Sequence, residues 1–93
     1  MIYQVDYTKE FKKQYKKLEK QGKDLTKLYS VIETLSTGFE SDKKYKNHKL
    51  LKNKIYRDCM ECHIEPDWLL VYRIDKINLI LLLYSTGSHS DLF

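Results

Sequence analysis

Apolar residues along this 93-residue chain change their period partway through. The opening Ile2-Tyr3-Gln4-Val5-Asp6-Tyr7 alternates and is rich in aromatic and β-branched residues, which predicts a short strand. Phe11, Tyr15 and Leu18 then recur at helical spacing, with Thr8 as N-cap, Glu10 in the first turn and Gly22 as the stop. A second helix is predicted from Asp24, with Leu25, Leu28, Tyr29, Ile32 and Leu35 on one face and Gly38 beyond its end. Two short amphipathic helices joined at a glycine predict an antiparallel helical hairpin. Beyond a lysine-rich stretch the pattern becomes extended, in the runs His48–Leu51, Ile55–Ile64, Asp67–Ile74 and Asn78–Tyr84. Glu65-Pro66-Asp67 and Asp75-Lys76-Ile77-Asn78 read as the turns between the last three. WLLVY and LILLLY are too continuously apolar for a sheet wetted on one side, so they are expected as central strands with the helices covering one face. The expectation is one α+β domain over residues 1–93: an N-terminal strand, a two-helix hairpin, then a twisted antiparallel sheet.

Composition narrows the function classes. With 42% hydrophobic and 32% charged residues the chain is neither a disordered tail nor a membrane bundle. Its longest dense apolar stretch, Ile77 to Tyr84, is far short of the ~18–20 residues that span a bilayer. The start MIYQVDYTKE lacks the basic-then-apolar order of a secretory signal, so a cytoplasmic location is expected. The net charge of +4 is unevenly placed: residues 1–57 carry 15 basic and 7 acidic side chains, residues 58–93 only 2 and 6. Lysines 43, 44, 46, 49, 52 and 54 crowd twelve positions, and six more stud Lys9 to Lys20. Such clustering favours a polyanion, nucleic acid foremost, although a solvated helix face plus a lysine-rich loop accounts for the charge equally well.

Cys59-Met60-Glu61-Cys62-His63 fits the C-x-x-C-H pattern of haem attachment, and the same side chains invite a zinc reading. On a strand, Cys59 and Cys62 point to opposite faces, so both are expected to be ordinary packing thiols, with no metal and no cofactor. Histidines 48, 63 and 89 lie in separate segments of the second half. Cleaving RNA without metal needs a base for the 2′-hydroxyl proton, an acid for the leaving 5′-oxygen and positive charge at the phosphorane, and histidine serves either proton role. Strand parity groups Arg57, Cys59, Glu61 and His63 on one face, offering a cation, a carboxylate and an imidazole together. The tail from Thr86 to Phe93 gains meaning only if it folds back over the sheet, where Phe93 can stack on a base.

HIEPDWLLVYRI (63–74) and TGSHSDLF (86–93), with YxxxFKKxYKKL (7–18) and the His-x-Leu at 48–50, closely resemble the YafQ branch of the RelE-like toxins of type II toxin–antitoxin systems. The resemblance implies a compact α+β microbial RNase fold, a metal-independent endoribonuclease cutting mRNA in the ribosomal A site, and a cognate antitoxin that silences it. It implies site residues at His48, Glu61, His63, Asp67, His89 and Phe93. The family's usual arginine before Thr-Gly-Ser-His is replaced here by Ser85, and the interval from His48 to His63 is longer by about two residues. Arg57 or Arg73 is expected to supply the missing phosphate-binding charge, alongside Lys43, Lys44, Lys46 and Lys49. The alternative is a same-fold toxin that poisons DNA gyrase without cutting RNA, against which the three histidines speak. The resemblance also selects a three-residue connection of Ile64, Glu65 and Pro66. That register sets His63 across from Asp67, Glu61 from Leu69, Cys59 from Val71 and Arg57 from Arg73, with Asp67 orienting the His63 imidazole.

Overall fold

The computed structural model describes residues 2–38, 56 and 58–93, together with the backbone of 48–49. Its elements are β1 (Gln4–Tyr7), α1 (Lys9–Lys20), α2 (Leu25–Ser36), β2 (His48–Lys49), β3 (Met60–Glu65), β4 (Trp68–Asp75), β5 (Ile80–Gly87) and α3 (His89–Leu92). They form an α+β domain on one sheet of order β1-β5-β4-β3-β2. Strands β2 to β5 pair antiparallel as expected, and β1 joins the edge of β5 in parallel.

Local chemistry fixes the helix boundaries. Thr8 is extended, and its Oγ1 accepts the Phe11 amide at 3.0 Å, capping α1. The same hydroxyl donates to the Tyr84 carbonyl at 2.7 Å, so the cap also fastens α1 to β5. Asp24 caps α2 through the Thr26 amide, and Gly22, at φ +76°, makes the left-handed turn between the helices. Tyr15 and Tyr29 bond hydroxyl to hydroxyl across the hairpin. Tyr29 was expected in the apolar face of α2 but is half exposed; Val31 is buried in its stead, beside Leu28 and Leu35. The phenol hydroxyl explains the difference, because its bond to the Tyr15 hydroxyl is made at the surface.

The sheet is covered on both faces. Phe11, Leu18, Leu28, Val31 and Leu35 of the helices pack on Cys62, Ile64, Trp68, Leu70, Tyr72, Leu81 and Leu83. On the other face Tyr56, Cys59 and Leu92 close over Leu69 and Val71.

The β3–β4 register differs from expectation. Pro66 and Asp67 form the turn and Glu65 pairs with Trp68, but Ile64 is an extra residue, so His63 lies opposite Leu69 and Glu61 opposite Val71. His63 is therefore not across from Asp67, nor Glu61 from Leu69. The bulge arises because Ile64 and Trp68 both belong in the helix-side core. The offset is two residues, which preserves parity, so Glu61, His63 and Arg73 still share the face away from the helices. Cys59 and Cys62 fall in opposite cores, as expected. A second irregularity lies between Val71 and Tyr72, where Val71 pairs with Ser85 and Tyr72 with Leu83, leaving Tyr84 as the extra residue. β5 also runs on to Gly87, past the apolar run that marked it in sequence. Of the run His48–Leu51, residues 50–51 lie outside the described residues, as do Ile55 and Arg57 of the next.

Thr8→Ala is expected to lose about 1 kcal/mol for the cap and ~1 kcal/mol for the Tyr84 bond, a shift readable by chemical denaturation. Thr8→Ser keeps both bonds and should restore most of the loss.

Candidate active site

Three parts of the chain meet at the end of the sheet where the β3–β4 turn and the start of α3 lie together. Ser88 caps α3 through the Asp91 amide, and the Asp91 carboxylate returns to the Ser88 amide, a reciprocal box that fixes the helix entry. α3 is short, and burial of Leu92 against Leu69 and Val71 holds it to the sheet. His89 at its first position then meets the β3–β4 turn. Asp67 Oδ1 accepts the His89 amide at 3.0 Å and lies 3.0 Å from His89 Nδ1.

These bonds hold the Asp67 carboxyl below the ordinary carboxylate value, the backbone bond being the larger cause and the ring bond the second. The contribution of a lowered carboxylate is present above its unfolded value and is lost as pH falls through its folded one. Asp67 is therefore ionised at neutral pH and accepts only, so Nδ1 of His89 is the donor and Nε2 is the ring nitrogen that can exchange a proton. The imidazole of His63 lies with its centroid 5.6 Å from that of His89 and its Nε2 3.9 Å from Glu61 Oε1. Phe93 is 52% exposed and packs edge-on against Tyr56, centroid to centroid 5.6 Å, leaving an open aromatic surface at the end of the helix that carries His89.

The structure thus brings Glu61, His63, Asp67 and His89 together, with Phe93 at the far end of α3. The partner expected for Asp67 is corrected: it orients His89, not His63, because the Ile64 bulge displaces His63 along the strand while the Ser88 cap delivers His89 to the turn. The backbone of His48 pairs with Glu61 and that of Lys49 with Met60. Lys43, Lys44, Lys46 and Arg57 lie outside the described residues. Arg73 stacks its guanidinium 5.5 Å over the Tyr84 ring on the site-side face. Ser85, at the position of the expected arginine, is buried opposite Val71 on that same face.

Both thiols are withdrawn from chemistry. Burial raises the Cys59 thiol and pushes Cys62 up to about 12. Among the described residues, no three His, Cys, Asp or Glu side chains gather where they could hold a metal ion. Tyr56, Tyr84, Leu69 and Val71 were missed from sequence as parts of the site. The capping box was legible as Ser88-x-x-Asp91 and went unread.

Residues 3–93 match the family described as the bacterial toxin of type II toxin–antitoxin systems, YafQ. The chain belongs to the YafQ family. Among its relatives is the mRNA interferase toxin YafQ of Escherichia coli strain B, 36% identical over 92 residues that cover 96% of this chain and 94% of the relative. A metal-bound toxin from Helicobacter pylori superposes with a TM-score of 0.90 at 43% identity, each chain covered completely. YafQ in the Escherichia coli DinJ–YafQ complex superposes with a TM-score of 0.85 at 30% identity, covering 98% of both chains. No helix among the described residues of this YafQ-family chain is long and apolar enough to cross a membrane.

Changing Cys59 and Cys62 together to Ser should leave cleavage within about tenfold of wild type and metal content unchanged, at a modest stability cost. Metal analysis and an activity assay check this; stoichiometric metal lost from the variant contradicts it.

Proposed function

We propose that this YafQ-family toxin cuts mRNA in the ribosomal A site, in the cytoplasm, and is silenced by a cognate antitoxin. The observation that carries the reading is the pair of neighbouring imidazoles, each beside a carboxylate: His89 with Asp67 and His63 with Glu61. Transfer of the 2′-hydroxyl proton to a base lets that oxygen attack the adjacent phosphorus. An acid then protonates the departing 5′-oxygen, leaving a cyclic phosphate and a free 5′-hydroxyl. His89 suits the acid: Asp67 holds its Nδ1 and leaves Nε2 for the departing oxygen. His63, assisted by Glu61 and with His48 at the register position opposite Glu61, serves as base. Arg73 stands in for the arginine replaced by Ser85, its cation presented on the reacting face of the sheet to the phosphorane charge. Lys43, Lys44, Lys46, Lys49 and Arg57 supply positive charge for ribosomal RNA, and Phe93 offers a stacking face to a base.

The reading assigns no step to a metal. A Helicobacter pylori relative is metal-bound; among the described residues here no three His, Cys, Asp or Glu side chains gather as a ligand cluster, and proton transfer between imidazoles and RNA oxygens requires no metal. The Escherichia coli DinJ–YafQ complex supports an antitoxin partner. A gyrase poison of the same fold has no use for two adjacent acid–base pairs, which favours the nuclease.

The test adds purified toxin to translating ribosomes and maps mRNA 5′ ends by primer extension. New ends in the A-site codon are expected, and intact mRNA with inhibited gyrase defeats the reading. His89→Ala should lower cleavage ~10²–10⁴-fold while the protein stays folded, the usual worth of a general acid. Arg73→Ala should impair cleavage far more than it shifts the denaturation midpoint, because its cation stacks on Tyr84 beside the core rather than within it.

A further inference from the structure

We infer that Thr86 is a positioning residue for the Asp67–His89 pair, acting through a buried bridge to Trp68 and Leu69; the inference rests on the role given to that pair above. Trp68 and Thr86 are each only 1% exposed. The Trp68 indole Nε1 donates to Thr86 Oγ1 at 3.0 Å, and that hydroxyl donates to the Leu69 carbonyl at 2.8 Å. The Thr86 amide donates in turn to Gln14 Oε1 at 2.9 Å, bracing the same point from α1.

The geometry is a closed ring. Asp67 is joined covalently to Trp68, Trp68 is bridged to Thr86, and the chain continues through Gly87 and Ser88 to His89, which bonds back to Asp67. Besides the β4–β5 ladder, in which Leu69 pairs with Gly87 and Leu70 with Thr86, the ring has two side-chain rungs. The catalytic rung is open to water, with side chains 71% and 52% exposed at Asp67 and His89, and an ion pair so placed is screened and holds weakly. The ladder sets the register of the two strands, and this wet rung adds little to fixing the side chains beyond its end. The buried rung fixes the end of the ladder firmly, because a donor or acceptor left unpaired in the interior is costly, and every polar atom of the bridge is satisfied.

Gly87 makes the ring tight. A Cβ there would lie 3.3 Å from both Cβ and Oδ2 of Asp91, so the chain between bridge and helix is packed closely against the capping box. A displacement at Thr86 accordingly passes to His89 rather than dissipating in a loose loop.

Thr86→Val keeps the shape and deletes the hydroxyl. Two readouts decide the matter in the full-length toxin: the single-turnover cleavage rate on ribosome-bound mRNA, and the titration of the Asp67 carboxyl followed by ¹³C NMR without RNA. Thr86→Val is expected to slow cleavage roughly 10–100-fold, the scale of a misplaced catalytic group, with little change in half-saturation. The Asp67 midpoint should move up toward the ordinary carboxylate value as the His89 bonds loosen, and Thr86→Ser should restore both readouts. In an Asp67→Asn background the same valine should add almost nothing, since it acts through the pair. A Thr86→Val protein that melts earlier but keeps the wild-type rate and Asp67 titration overturns the inference. If wild type fails to cleave, the proposed function falls, while the titration still decides the positioning role. Should Thr86→Val not fold, Gln14→Ala removes the brace at the surface of α1 and carries the same two readouts. A smaller change in the same direction supports the inference, and no change in either overturns it.

Discussion

Strand β4 is sealed on both faces from Trp68 to Tyr72, and the rest of the molecule is arranged to achieve this. One face receives the two helices, an ordinary solution for a half-apolar sheet. The other face presents Leu69 and Val71, which water would contact were they not covered by Tyr56, Cys59 and Leu92. That second cover is small and comes from the chain's last turn. The element that completes the core is thus also the element that carries His89 and Phe93. Apolar burial of Leu92, worth on the order of 1.5–3 kcal/mol, is what brings His89 to the turn bearing Asp67.

Electrostatics at the site contribute direction rather than adhesion. Glu65 is shared by Lys23 and Lys27, and Asp91 meets Lys17, all at the surface where such pairs add little to stability. Asp67 is equally wet, yet its bonds to the backbone and ring of one histidine dictate which nitrogen faces outward. Orientation needs geometry, and geometry here comes from the dry interior a residue away.

Sequence patterning reached most of this architecture because hydrophobic period and punctuation are local signals. Thr8, Gly22, Asp24 and Gly38 mark the helix limits through capping and φ preferences that act within a turn. Both β4 and β5 were readable from their continuous apolar runs. Tyr29 misled because a phenol satisfies either an apolar face or a surface bond, and only the position of Tyr15 decides. The pairing of His63 with Leu69 was not readable, because a bulge depends on which of two residues the core accepts, a non-local condition at Ile64 and Trp68. For the same reason the motif nominated Asp67 and His89 separately but matched Asp67 to the wrong histidine. Tyr56 left no mark, since its role as a wall for Phe93 exists only in three dimensions.

The bulge at Ile64 also bears on how such a hairpin changes length over evolution. Face assignment on β3 and β4 depends on parity alone, and the structure departs from the expected register by two residues without moving Glu61, His63 or Arg73 to the wrong side. Gaining or losing one residue in β3 would send His63 into the helix-side core and Cys62 out of it. Changes of two, or one offset by a bulge, leave Glu61 and His63 on the same face. Length variation in this hairpin is therefore admitted in even steps, and a single-residue indel survives only together with a new kink in the strand.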